Sequence, residues 1–349
     1  MRTSRFASLA APLALAAAAL LGPLAPRAAA QDAPPAELKF GTLAPENTPW
    51  SDILTNFKKS VQKATKGKMK VRLFLNGVLG DEAKMLQAMR VGQLTGGGFS
   101  TGGISTVVPE LQVFEIPFLF NDDDEADFVM DEVVLDDMRK ACERKNLYLY
   151  IWAVNGWLDF GSKDRPIRGL KDLQGAKAFM QETDIQRAFW TAVGANAQAI
   201  PVPDVLAALQ KGMITCYTTT PIFGSAAQWA TQSKHWTIAH HVYQPAAVVF
   251  DLAWWNALSE ENRKIILGFA PDLQKAARHD VRGIDEKILK DFKESGINVQ
   301  TLPPEGRAEL KKACEGVPAE LVKSGVFKQE LYDKVVKALS ERRAKAGKK

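Results

Sequence analysis

Residues 147–154 read L-Y-L-Y-I-W-A-V, a continuous apolar run with no face for water. A strand of this kind is covered on both sides, so it belongs in the middle of a helix-flanked sheet. Asn155-Gly156 predicts a turn after it. Residues 157–162 then read as a strand crossing into a second lobe, and residues 246–252 as a strand returning to the first. Around these runs, short strand patterns alternate with helical ones. Strands are expected at 38–43, 69–75, 94–99, 197–200, 213–217 and 298–302. In the helix after residue 48, Ile53, Leu54, Phe57 and Val61 recur at helical spacing. Residues 259–294 carry few breakers and predict one long helix reaching over both lobes. Strand–helix alternation predicts parallel, helix-covered sheets. With two crossings, the fold class is α/β, two-lobed and discontinuous in sequence.

The expected organisation follows from these crossings. Residues 1–30 read as a secretory signal peptide: Arg2 and Arg5, an Ala/Leu-rich run, then Ala28-Ala29-Ala30 as a small-residue cleavage site. Lobe I takes 31–155 and about 245–258. Lobe II takes 156–244 and about 295–316. A C-terminal helix with a basic tail occupies 317–349. Without Arg2, Arg5 and Arg27, 42 of the 45 Lys and Arg remain against 40 acids, a net charge of about +2. That balance points away from nucleic acid as a partner. Cys142, Cys216 and Cys314 match no redox or zinc spacing and read as buried free thiols.

Ligands of open α/β sheets bind outside the strand ends. The stretch 172–223 should supply two such ends, one at Phe179 and one at Thr218-Thr219-Thr220. None of these carries a charge. Gly102 and Gly103 follow a strand but lack the spacing of a phosphate cradle, so they read as places of close approach. His240-His241 has no acid at metal-ligand spacing and reads as a surface pair. No G-x-S-x-G occurs, so no nucleophile–base signature marks an enzyme.

Several short motifs occur in a fixed order. They are T-K-G-K (65–68), N-G-V-L-G (76–80), P-E-L (109–111), P-F-L-F (117–120), a strand ending in Trp152, N-G-W (155–157), D-L-Q-G-A-K (172–177) and A-L-Q-K-G (208–212). In this order they resemble the periplasmic solute-binding proteins of tripartite ATP-independent periplasmic (TRAP) transporters, of the dicarboxylate-binding type. The resemblance implies a two-lobed periplasmic-binding-protein fold with hinge strands and a long lobe-spanning helix. It also implies a periplasmic location, no cofactor, and delivery of a small molecule to TRAP membrane subunits.

The family usually clamps a ligand carboxylate with an Arg shortly after the D-L-x-G-x-K motif, because a planar guanidinium fork fits a carboxylate. Phe179 stands in that place here. Leu158 stands where a second Arg often follows the N-G-aromatic turn, and Thr219 where the family usually has Asn. These departures predict a hydrophobic or amphipathic ligand. They resemble a TRAP subgroup that lacks the Arg and is associated with a periplasmic tetratricopeptide-repeat protein. The expected ligand-binding residues are Phe179, Thr219, Leu158, Trp157, Tyr217, Phe99, Trp152 and Thr218. Two alternatives stay open at this point. One is a carboxylate receptor that uses a different cation, such as Lys177 or Arg187. The other is an exported enzyme working through His240 or His241.

Overall fold

The computed structural model describes residues 36–346. The expected signal peptide lies outside the described residues. Nine strands are present among them: β1 (Ala36–Thr42), β2 (Met69–Phe74), β3 (Gly96–Ser100), β4 (Leu147–Ser162), β5 (Lys177–Met180), β6 (Asn196–Ala199), β7 (Cys216–Thr219), β8 (His235–Asp251) and β9 (Asn298–Thr301). They form one sheet in the order β2-β1-β3-β8-β4-β7-β5-β6, with β9 also pairing β8. β1 runs parallel to β2 and β3, and β5 parallel to β6 and β7, as the strand–helix alternation predicts.

Both lobes share β4 and β8, which pair antiparallel along most of their length. Their 147–154 and 246–251 ends lie with β1–β3. Their other ends lie with β7 and β9. This differs from the expected pair of short strands around a turn. Asn155-Gly156 does not end the strand. The register shifts between Val154 and Gly156, so the extra residue is taken up as a bulge, which bends a strand without breaking it. Gly156 has φ +118°, open to glycine at little cost. β8 begins at His235, far earlier than its apolar part suggests. Pro245 sits inside it, opposite Val154 and beside the same irregularity.

The long helix is two helices, Glu260–Arg282 and Asp285–Glu294, separated at Gly283 and Ile284. The first packs on β4 and on the helix Pro49–Ala64. The second packs on β9 and on the helix Pro221–Ala226. Together they cover both lobes. Two bidentate ion pairs fasten the first helix: Arg278 to Asp131 at 2.6 and 2.8 Å, and Arg282 to Asp127 at 2.7 and 2.8 Å. Arg282 also donates to the Tyr243 hydroxyl.

Local sequence explains the walls around the crossing. Thr48 caps the helix Pro49–Ala64 and forms a capping box with Ser51. Leu54, Phe57 and Val61 bury its inner face. The glycines of β3 leave room for aromatic rings: a Cβ on Gly97 would lie 2.4 Å from the Phe99 ring. The three cysteines are buried and unpaired, and burial pushes each thiol up to about 12. Among the described residues, no helix is long and apolar enough to cross a membrane.

Candidate functional site

A cavity lies between the two halves of the sheet; its empty space, with the open solvent at its mouth included, is about 1050 Å³. Phe40, Thr42, Trp50, Ile53, Leu54 and Phe99 wall it on one side. Phe179, Thr218, Thr219, Thr220, Phe223 and Trp229 wall it on the other. Ile151, Ala153, Leu158, Ala246 and Val248 of the shared strands form its floor, with Leu273 and Ala277 of the helix Glu260–Arg282. Among the described residues that line it, none is Lys, Arg or His, and Glu82 is the one ionisable side chain.

Five of the eight residues proposed from sequence line this cavity: Phe99, Leu158, Phe179, Thr218 and Thr219. Phe179 is 4% exposed, and its ring meets Trp229 edge-on at 5.3 Å. Trp229 in turn meets Phe223 at 5.3 Å, so the wall is an aromatic cluster.

Trp152, Trp157 and Tyr217 are not brought to the cavity. Strand alternation accounts for Trp152. Ile151, Ala153 and Asn155 face the cavity, so Trp152 faces away and packs edge-on against Phe114 at 5.3 Å. The bulge after Val154 then changes the parity and turns Leu158 inward instead of Trp157. Trp157 stacks on His240 at 5.4 Å and donates through Nε1 to Asp123 at 3.1 Å. Tyr217 is fully buried over Gly161, with its hydroxyl 2.8 Å from Ser233 Oγ.

The alternative cations are also elsewhere. Lys177 and Arg187 are exposed and do not line the cavity. The two histidines do not form a surface pair. His240 is exposed, whereas His241 is buried and stacks on Phe160 at 4.4 Å. Burial pushes the His241 imidazole down to about 3. Among the described residues, no group of three or more His, Cys, Asp or Glu could hold a metal ion.

Sequence reasoning missed the polar end of the cavity. Glu82 starts the helix Glu82–Arg90 and is buried. Its Oε1 accepts from Ser100 N at 2.5 Å, and its Oε2 accepts from Ser100 Oγ at 2.6 Å and from Gln181 Nε2 at 3.4 Å. Gln181 and Gln186 exchange two hydrogen bonds, of 2.9 and 3.2 Å. Asn155 donates to Gln244, which donates to Glu115. Burial pushes the Glu82 carboxyl up to about 7, although the Ser100 bonds pull the other way. Glu115 is raised by burial too. The one sequence hint was Gly102-Gly103. A Cβ on Gly102 would lie 2.3 Å from Gln181 Oε1, and one on Gly103 would lie 2.0 Å from Glu82 Oε2.

The family model for bacterial extracellular solute-binding protein, family 7, matches residues 40–324. The chain belongs to this family. A 2,3-diketo-L-gulonate-binding periplasmic protein of Escherichia coli is 26% identical over 264 residues, 76% of this chain and 80% of that one. A C4-dicarboxylate-binding periplasmic protein of Shewanella loihica is 27% identical over 295 residues, 82% of this chain and 86% of the relative. Among solved structures, the sugar acid binding protein of Advenella mimigardefordensis with galactonate superposes with a TM-score of 0.84 at 24% identity. That match covers 88% of this chain and 98% of the other. A TRAP solute-binding protein of Sulfurospirillum deleyianum with succinate gives 0.81 at 25% identity, covering 86% and 98%. The family 7 fold is thus the two-lobed receptor fold that the motifs implied. The ligands named for these relatives are polar acids. The expectation of an apolar ligand gains no support from them, and neither does that of a tetratricopeptide-repeat partner.

Proposed function

We propose that this family 7 receptor works in the periplasm, captures a neutral amphipathic molecule in the cavity between its lobes, and delivers it to TRAP membrane subunits. The observation that carries the ligand class is the cavity lining. It offers aromatic and aliphatic walls, a cluster of neutral polar side chains at one end, one carboxyl and no cation. A carboxylate ligand would be desolvated there without a charged partner, which costs several kcal/mol or more. An apolar body gains roughly 25 cal/mol for each Å² removed from water. Phe179, Leu158, Phe99, Thr218 and Thr219 would contact it, with Trp229 and Phe223. Closure of the lobes would follow ligand contacts made only in the closed form. A tetratricopeptide-repeat protein remains part of this proposal as a second partner.

The second reading is a small-acid receptor, favoured by the galactonate, succinate and dicarboxylate named for the relatives. It would require the carboxylate to be held by neutral donors such as Asn155, Gln186 and the Thr218-Thr219-Thr220 run. A titration of tryptophan fluorescence separates the two, because Trp50 and Trp229 both line the cavity. Saturable quenching by medium-chain alcohols, with no response to succinate or galactonate, is the expected result. Saturation by the acids alone would establish the second reading.

A further inference from the structure

We infer that Glu82 is the specificity-determining residue of the cavity, accepting a hydrogen bond from a hydroxyl or amide on the ligand and turning carboxylates away. This rests on the reading of the cavity as the ligand site and deepens it. A carboxylate has about four acceptor positions. Three on Glu82 are taken, by Ser100 N, Ser100 Oγ and Gln181 Nε2. One is left at a wall of the cavity, and it suits a donor.

The surroundings hold the carboxyl in place, and burial raises it to about 7, so it carries its charge only above that pH. Ser100 Oγ also accepts from Gly103 N, so it is fixed from both sides. Gly103 is bare because the carboxyl occupies the space of its Cβ. Gln181 comes from the opposite lobe, so the grip on Glu82 is completed across the cleft. The charged groups that face Glu82 are Glu115, from the turn Pro109–Glu115, and Asp81, at the cap of its own helix, and both repel it. Among the described residues, no cation lines the cavity to offset them. Above about pH 7 a ligand anion would therefore meet the Glu82 carboxylate with no cation beside it, whereas a hydroxyl meets a free acceptor.

Matched eight-carbon probes test this on the whole chain: octan-1-ol, octanamide and octanoate, titrated by calorimetry with wild type and Glu82→Gln. Wild type at about pH 8 should prefer the two neutral probes by about tenfold or more, the discrimination expected from one unpaired hydrogen-bonding group. In Glu82→Gln the ratio of octan-1-ol affinity to octanoate affinity should fall about tenfold. Wild type alone gives a second readout that needs no variant. Its affinity for octanoate should fall between about pH 6 and pH 8, as Glu82 loses its proton. An unchanged preference in Glu82→Gln, or octanoate binding flat across that range, overturns the inference. If wild type binds the three probes equally, the apolar cavity reading stands and the role of Glu82 falls. If it binds none of them but takes succinate, both fall.

Discussion

Phe179→Arg places a guanidinium where the resemblance to TRAP receptors leads one to expect a carboxylate clamp and where this chain has a buried ring. Phe179 lies on β5, 4% exposed, on a cavity wall without any cation. A ligand carboxylate about 4 Å from the new charge would gain about 4 kcal/mol at an effective dielectric of about 20. At 1.4 kcal/mol per decade that is at most about a thousandfold. Desolvating the guanidinium takes part of it back, so a gain of about 10- to 100-fold in succinate affinity is expected. The same change removes the edge-on contact with Trp229, worth about 0.5–1.5 kcal/mol, along with the apolar ring itself. Octan-1-ol affinity should fall by about tenfold or more. Calorimetry with succinate and octan-1-ol reads both changes, and a melting curve checks that the variant folds. Leu158→Arg, at the second position on the same cavity, repeats the test if the first variant is unstable. A folded variant that binds both ligands as wild type does would refute the claim that position 179 reads the ligand.

Two further outcomes follow from the buried charges. Arg278→Ala should lower the urea-unfolding free energy by about 2 kcal/mol or more, because it leaves Asp131 without its bidentate partner on the hinge-side helix; an unchanged midpoint would contradict this. Glu82 is raised from 4.5 to about 7, so between those values the folded chain holds a proton that the unfolded chain has released. Its contribution to stability is therefore present at acid pH and lost as pH rises through about 7, by an amount on the order of 3 kcal/mol. Glu82→Gln should gain stability relative to wild type between about pH 5 and pH 8, and a difference independent of pH would rule this out.

The fold was legible where local chemistry and long-range pairing agree. The run 147–154, the helix after residue 48 and the parallel strands on each side follow from periodicity alone. The crossing did not follow, because Asn155-Gly156 looks like a turn in isolation and becomes a bulge only when β8 lies alongside. That bulge also decided which site residues could be read. Phe179 and Thr219 sit at strand ends anchored by nearby motifs, so their placement needed no knowledge of parity. Trp157 and Leu158 are neighbours, and only the register shift decides which faces the cavity. Trp50, Phe223 and Trp229 reach it from helices and a short turn whose docking no local pattern states. Glu82 looked like an ordinary acid in the first turn of a helix. Its burial arises from Ser100, Gly103 and Gln181, which are distant in sequence.

The central claim is that the cavity holds a neutral amphipathic molecule. Native mass spectrometry of the chain purified from a bacterial host, followed by extraction under denaturing conditions, tests it most directly. The account predicts a co-purifying neutral species with an apolar body, released on unfolding and absent from wild type refolded without it. A bound sugar acid or dicarboxylate in the same cavity would contradict the account.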